Sequence, residues 1–168
     1  MPDDGWRYEL VQGRLVRMPP MGFSHGRITA NVIGLLQQFV GEQRLGVILS
    51  SETGFILSRE GEPDTVLAPD AAFVSAERVP AHDVPGFARL APDLVAEVVS
   101  PGQARSRMEV KARLYIASGV RLVWVVWPEA RTVDVWREAG TTSLSEGDTL
   151  DGGDVLPGLA IPVRDLFT

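Results

Sequence analysis

Asp70, Glu97 and Lys111 are the residues of this chain best placed to do chemistry. Glu97 lies inside Leu94-Val95-Ala96-Glu97-Val98-Val99, bounded by Pro92-Asp93 and Ser100-Pro101-Gly102. A run apolar on both faces marks a strand covered on both sides in an α/β sheet. Alternation along a strand points Glu97 to the same face as Val95 and Val99. An ionised carboxylate there costs several kcal/mol (order of magnitude) unless a cation stands beside it. The sequence offers a metal ion, Lys111, or both. Asp70 follows Pro69 and opens the short apolar run Ala71-Ala72-Phe73-Val74, so a second carboxylate can reach the same sheet end. Two carboxylates around a hard divalent cation, with a lysine nearby, suit phosphodiester hydrolysis: metal and ammonium together activate a water and steady developing charge.

The elements that must position these groups are legible in outline. Tyr8 to Met18 reads as two strands joined at Gln12-Gly13, where glycine suits a tight hairpin, and Pro19-Pro20 stops the second strand. Ser24 is the expected N-cap of a helix running to about Glu42, with Ile28, Val32, Leu35, Leu36 and Phe39 as its core stripe. Gly46–Ser51 and Gly54–Leu57 read as the next strand pair, and Arg59–Asp64 as a polar loop. A second helix is expected over about Ala104–Ser118, capped by Gly119. Lys111 flanks its apolar stripe of Met108, Ala112 and Tyr115 and can send its ammonium over the sheet end. Arg121–Trp127 is a second buried strand, and Arg131–Arg137 alternates and should return beside it. The tail is turn-rich and ends in a short apolar segment. Strand, helix and strand from Asp93 to Trp127 should make a parallel crossover, giving an α/β fold with one central mixed sheet and few helices.

Bulk composition narrows the classes. The 168 residues suffice for one domain with its own core. No apolar stretch approaches the roughly 18 residues of a membrane span. Met1-Pro2-Asp3-Asp4 has no signal-peptide character, so a cytoplasmic location is expected. The absence of cysteine excludes disulfides and thiolate metal sites. A net charge of −6 argues against avid non-specific nucleic-acid binding, though an acidic site can still gather divalent metal.

The chain resembles the PD-(D/E)XK nuclease superfamily and, more narrowly, the Uma-two-type restriction endonuclease group. The resemblance runs over nearly the whole length. It is carried by Tyr8-Glu9-Leu10-Val11-Gln12-Gly13, Met18-Pro19-Pro20, Ser24-His25-Gly26-Arg27-Ile28, Pro69-Asp70, the segment Pro92 to Pro101, Lys111 with Tyr115 and Gly119-Val120, and Gly147-Asp148-Thr149-Leu150 with Leu156-Pro157-Gly158. It implies a restriction-endonuclease-like core with a central mixed β-sheet, two main helices and added N-terminal and C-terminal strands. It further implies Mg²⁺ or Mn²⁺ bound by Asp70, Glu97 and the backbone carbonyl of Val98, with Lys111 as a catalytic lysine displaced onto the helix. Glu9 would be the acidic residue from an N-terminal element, and His25 would stand near the cleft to contact phosphate or move a proton. Nucleic acid, DNA in the first place, is the implied substrate, and self-association as a homodimer is expected. Arg107 replaces an acidic residue expected four positions before Lys111, and Trp127-Pro128 replaces an Asp-Pro turn.

Each residue also has a plain structural explanation: a turn carboxylate for Asp70, an ion pair for Glu97, a snorkelling lysine for Lys111, a solvent-facing edge residue for Glu9 and a first-turn histidine for His25. The arginines at 105, 107 and 113 are either a solvated helix face or a phosphate-steering patch. Two other functions therefore stand beside the nuclease: a catalytically silent nuclease-fold module with Lys111 sealing Glu97, and a hydrolase of another phosphoester. An open cleft beside the carboxylates favours an enzyme, and a sealed Glu97 favours the module.

Overall fold

The computed structural model describes residues 7–18, 21–58, 60–82 and 84–168. The Met1–Asp4 segment, the Pro19-Pro20 stop and Arg59 of the polar loop lie outside them. Gln12 and Gly13 both take positive φ (48° and 77°), the twist-matched turn that joins β1 (Arg7–Val11) to β2 (Arg14–Met18) in antiparallel register. Helix α1 spans Phe23–Gln43. Then come β3 (Gly46–Ser50), β4 (Phe55–Ile56), β5 (Val66–Leu67), β6 (Ala71–Ser75) and β7 (Leu94–Val98). Helix α2 (Arg105–Ala117) leads to β8 (Leu122–Trp127), β9 (Thr132–Arg137), β10 (Gly140–Leu144), β11 (Thr149–Gly152) and β12 (Leu156–Pro162).

A six-stranded mixed sheet in the order β10-β9-β8-β7-β6-β3 forms the centre. β7 and β8 are parallel, joined through α2 as expected, while β6–β7 and β8–β9 are antiparallel. Alternation along β7 divides the core. Leu94, Ala96 and Val98 pack with Ile28, Val32 and Leu36 of α1. Val95 and Val99 pack with Met108, Ala112 and Tyr115 of α2. The two helices thus cover opposite faces, which is why β7 and β8 are buried at every residue. A four-stranded sheet, β2-β1-β5-β4, and the β11–β12 hairpin flank this centre.

Several expectations change. Gly22, not Ser24, is the N-cap of α1; its extended φ and ψ (−80°, 169°) start the helix earlier and place Ser24 inside the first turn without a capping bond. The buried stripe is accordingly His25, Ile28, Val32, Leu36 and Val40, with Leu35 and Phe39 only partly buried. β3 and β4 do not pair with each other: β3 pairs with β6, and β4 with β5. The tail is more regular than its turn residues suggest, contributing β10, β11 and β12. Gly119 does follow α2 with φ of 99°, and Val120 N–H closes the helix on the Tyr115 carbonyl.

Asp134 ties β8, β9, β10 and α2 together. Its Oδ2 accepts from Trp127 Nε1 at 2.8 Å and Arg105 Nη1 at 2.6 Å, and its Oδ1 from Ser143 Oγ at 2.6 Å. The Arg105 guanidinium also lies 4.1 Å from the Trp127 ring centroid. Replacing Asp134 by Ala strands a buried indole N–H and an arginine at once. Urea unfolding should show a loss of about 3 kcal/mol, with a smaller loss for Asp134→Asn.

Candidate functional site

The β6–β7 register builds the site. Ala71 faces Ala96, so Asp70, one step before β6, falls opposite Glu97. Asp70 Oδ2 accepts the Val98 backbone N–H at 2.8 Å and lies 3.1 Å from His25 Nε2, which arrives from the first turn of α1. Glu97 projects to the α2 face, where its Oε1 accepts from Tyr115 Oη at 2.7 Å and from Lys111 Nζ at 2.8 Å. Lys111 and Tyr115 are one helical turn apart, so both reach the same oxygen. Glu9 comes in on β1: its Oε1 takes a second bond from Lys111 Nζ at 2.9 Å and one from the Ala68 backbone N–H at 3.2 Å. Glu9 is buried and β1 lies between β2 and β5, so it is not a solvent-facing edge residue.

Asp70, Glu97, Lys111, Glu9 and His25 therefore share one buried cluster. Sequence reasoning missed Tyr115 as a member, reading it as core because it falls on the apolar stripe of α2; its hydroxyl was the available signal. Val98 enters through its backbone, whose N–H bonds Asp70 and which also favours the charged form of His25. The arginines divide: Arg105 is committed to Asp134, Arg113 lies 5.3 Å from the Trp136 ring centroid, and Arg107 stands exposed.

The hydrogen bonds distinguish two kinds of buried carboxylate. Asp93 uses both oxygens, one for Ser75 N–H and the other for Arg78, and Asp134 likewise uses both. Among the described residues, bonds to Asp70 all end on Oδ2, bonds to Glu97 on Oε1 and bonds to Glu9 on Oε1. Among the described residues, each of these three carboxylates is thus bonded through one oxygen alone.

Charge is unbalanced as well. Three buried carboxylates face one ammonium, so the cluster is left with excess negative charge when His25 is neutral. Protons respond accordingly. Burial pushes the Glu97 carboxyl up to about 7, Lys111 draws it partly back, and the Asp70 and Glu9 charges raise it again. Burial opposes charge on His25, but the hydrogen bond and charge of Asp70, the Val98 backbone and the Glu97 charge prevail and raise its pKa. Lys111 is likewise raised, since Glu97 and Glu9 outweigh its burial. Burial and then the Glu97 charge hold the Tyr115 phenol well above its usual range.

Donor chemistry fits a hard divalent cation: carboxylate oxygens and a backbone carbonyl, with an imidazole at hand. Among the described residues, however, no three His, Asp or Glu side chains converge as a ready-made metal site. Lys111 supplies positive charge in this conformation, joined by His25 when the imidazole is protonated. Lys111 is the most exposed member of the cluster, with 14% of its side chain accessible, while the buried His25 forms part of the wall of a pocket of about 380 Å³.

A sequence profile described as "Uma2: Putative restriction endonuclease" matches residues 1–164. The chain belongs to the Uma2 family. Its fold is that of a crystal structure of a putative nuclease from Anabaena variabilis, with a TM-score of 0.87 at 20% identity, covering 99% of this chain and 93% of that one. The restriction-endonuclease-like mixed sheet expected from the sequence is thereby shown. No curated protein matches the chain. Among the described residues, no helix is long and apolar enough to cross a membrane.

The raised Glu97 pKa has a measurable sign. Between its ordinary 4.5 and about 7, the folded Uma2 chain holds a proton that the unfolded chain has released. The stability this site contributes is therefore greatest at acid pH and is lost as pH rises toward 7. The difference in unfolding free energy between wild type and Glu97→Gln should move against wild type by on the order of 2 kcal/mol across that window. Urea titrations at several pH values measure it, and a difference flat in pH would contradict the shift.

Proposed function

We propose that this Uma2 protein is a Mg²⁺- or Mn²⁺-dependent nuclease that hydrolyses phosphodiester bonds in nucleic acid, DNA in the first place. The observation that carries the reading is the set of half-anchored carboxylates. Asp93 and Asp134 spend both oxygens on structure, whereas among the described residues Asp70 and Glu97, side by side in register, are each bonded through one. Asp70, Glu97 and the Val98 carbonyl would hold the cation, whose charge would offset the carboxylate excess. When bound, the cation supplies polarisation of a phosphoryl oxygen and a more acidic water.

The chain's own groups have the remaining tasks. Lys111, pinned between Glu97 and Glu9, keeps its charge throughout the physiological range and is placed to orient water or steady charge on the phosphoryl group. Tyr115 fixes the Glu97 carboxylate by donating to Oε1, so that Oε2 is the oxygen presented. His25 stands between Asp70 and the pocket, where it can contact phosphate or hand a proton to a leaving oxygen. Glu9 tethers Lys111 from the opposite side.

A silent module is the second reading, favoured by Lys111 already neutralising Glu97 in a site that is nearly closed. Calorimetric titration with Mn²⁺ at neutral pH separates the two. The nuclease binds the ion, Glu97→Gln and Asp70→Asn lose it, and both variants lose metal-dependent cleavage of DNA while remaining folded. Cleavage unchanged in both variants would remove the site assignment. Tyr115→Phe, which deletes one hydrogen bond at constant shape, should weaken Mn²⁺ binding by about tenfold.

A further inference from the structure

The pocket beside His25 enters the hydrolytic roles above only through His25 itself. It opens at the C-terminal ends of β7 and β8, between the first turn of α1, the turn before α2 and the β8–β9 turn. At about 380 Å³ it falls within the range of about 300–1,000 Å³ typical of small-molecule sites. Its walls are Ile28, Val99, Trp127, Pro128 and Phe167, an apolar surface that would not hold a bare phosphate. Polar groups enter from two sides. His25 comes from α1, its Nε2 engaged by Asp70 at 3.1 Å and its Nδ1 by Thr29 Oγ1 at 3.4 Å. Gln103 spends its amide oxygen on the Ser100 N–H at 2.8 Å and so retains its NH₂ as a donor. Ser24, Ser100 and Glu129 also line it, and the exposed arginines at its edge are committed, Arg27 to the Phe167 and Thr168 carbonyls and Arg131 to Glu146. An apolar slot with a free amide NH₂ inside it, one side chain away from the candidate carboxylates, matches a flat heterocycle on a strand passing the site.

We infer that this pocket receives one nucleobase of the strand being cut, so that the substrate is single-stranded or locally unpaired nucleic acid. The inference rests on the nuclease reading for its strand but on the pocket alone for its base. His25 belongs both to the pocket wall and to the Asp70 contact, so a base seated here hangs one side chain away from the carboxylates. A base inside a duplex is stacked on both faces and paired along its edge, and it can enter only by leaving the stack. Charge points the same way. With a net charge of −6, phosphate contacts alone hold nucleic acid weakly, and contact with a base supplies what the backbone does not.

The test needs no hydrolysis. Fluorescence anisotropy in EDTA compares a labelled twelve-nucleotide oligothymidylate with a strand of equal length made wholly of abasic sugar-phosphates. Wild type should bind the base-bearing strand about tenfold more tightly, within the size of a base–aromatic stack. Ala130→Phe, which fills the pocket from the β8–β9 turn, should bring the two strands to parity while its ¹H–¹⁵N spectrum stays folded. Thymidine 5′-monophosphate should shift the Trp127 indole N–H of wild type and leave that of the filled variant unmoved. Equal binding of both strands by wild type overturns the inference, and so does a preference that survives in the folded variant. Discrimination without any cleavage upholds the pocket and sinks the nuclease reading. Metal-dependent cleavage of duplex and abasic strands alike upholds the nuclease and sinks the pocket.

Discussion

Lys111 Nζ bonds Glu97 and Glu9 together, and the placement of three elements follows from that one ammonium. Glu97 is committed to the α2 face by the alternation of β7, in a layer otherwise made of valine, methionine and tyrosine. Left alone there, its charge would cost several kcal/mol, of order of magnitude. α2 must therefore turn so that Lys111 faces the sheet. Once it does, Met108, Ala112 and Tyr115 become the packing stripe, and the Tyr115 hydroxyl arrives at the same carboxylate oxygen. Glu9 answers the other side of the ammonium and fastens the β1–β2 hairpin to α2 across about a hundred residues of chain. Electrostatics at one point thus sets a helix rotation and the docking of a hairpin.

Asp70 reaches the cluster by a different route, through sheet register. A slip of one residue between β6 and β7 would turn Asp70 and the Ala72 and Val74 side chains to the wrong face, so the register is locked by the core on both sides. Covalent neighbours do the rest: the Val98 N–H, next to Glu97, holds Asp70. The two carboxylates are consequently positioned by backbone, and only their fine orientation is left to Lys111, Tyr115 and His25. Backbone positioning is the most rigid support a site can have, because moving it means breaking sheet hydrogen bonds.

What the sequence made legible follows the range of each interaction. Glu97 was visible because a charge inside an apolar run violates a local rule, and Lys111 because helical periodicity places it on the flank of a stripe. The Gln12-Gly13 hairpin and the β7-α2-β8 crossover depend on neighbouring residues and were equally visible. Glu9 was ambiguous because its burial comes from β5, more than fifty residues on, and from Lys111, further still. The separation of β3 from β4 is likewise decided by long-range pairing with β6 and β5. Ser24 misled for a more local reason. Gly22 already has the extended conformation a cap needs, and the helix starts from it. Tyr115 was seen but misjudged, since a buried tyrosine's apolar body explains its position without its hydroxyl.

Stability does not account for the cluster. Replacing a buried ion pair by apolar side chains of similar volume is often neutral or stabilising by about 1–4 kcal/mol. The surroundings would accept that exchange, because Val95, Val99, Met108 and Ala112 already form an apolar layer around Glu97. A cluster kept for fold alone would also be saturated, as Asp134 is by Trp127, Arg105 and Ser143. Among the described residues this one holds three carboxylates on single oxygens, two of them on Lys111 and the third beside His25, which borders a pocket. With Glu97 ionised and His25 neutral, the surplus negative charge weakens the folded state. The proposed cation beside a phosphodiester would satisfy both that charge and the singly bonded carboxylates at once.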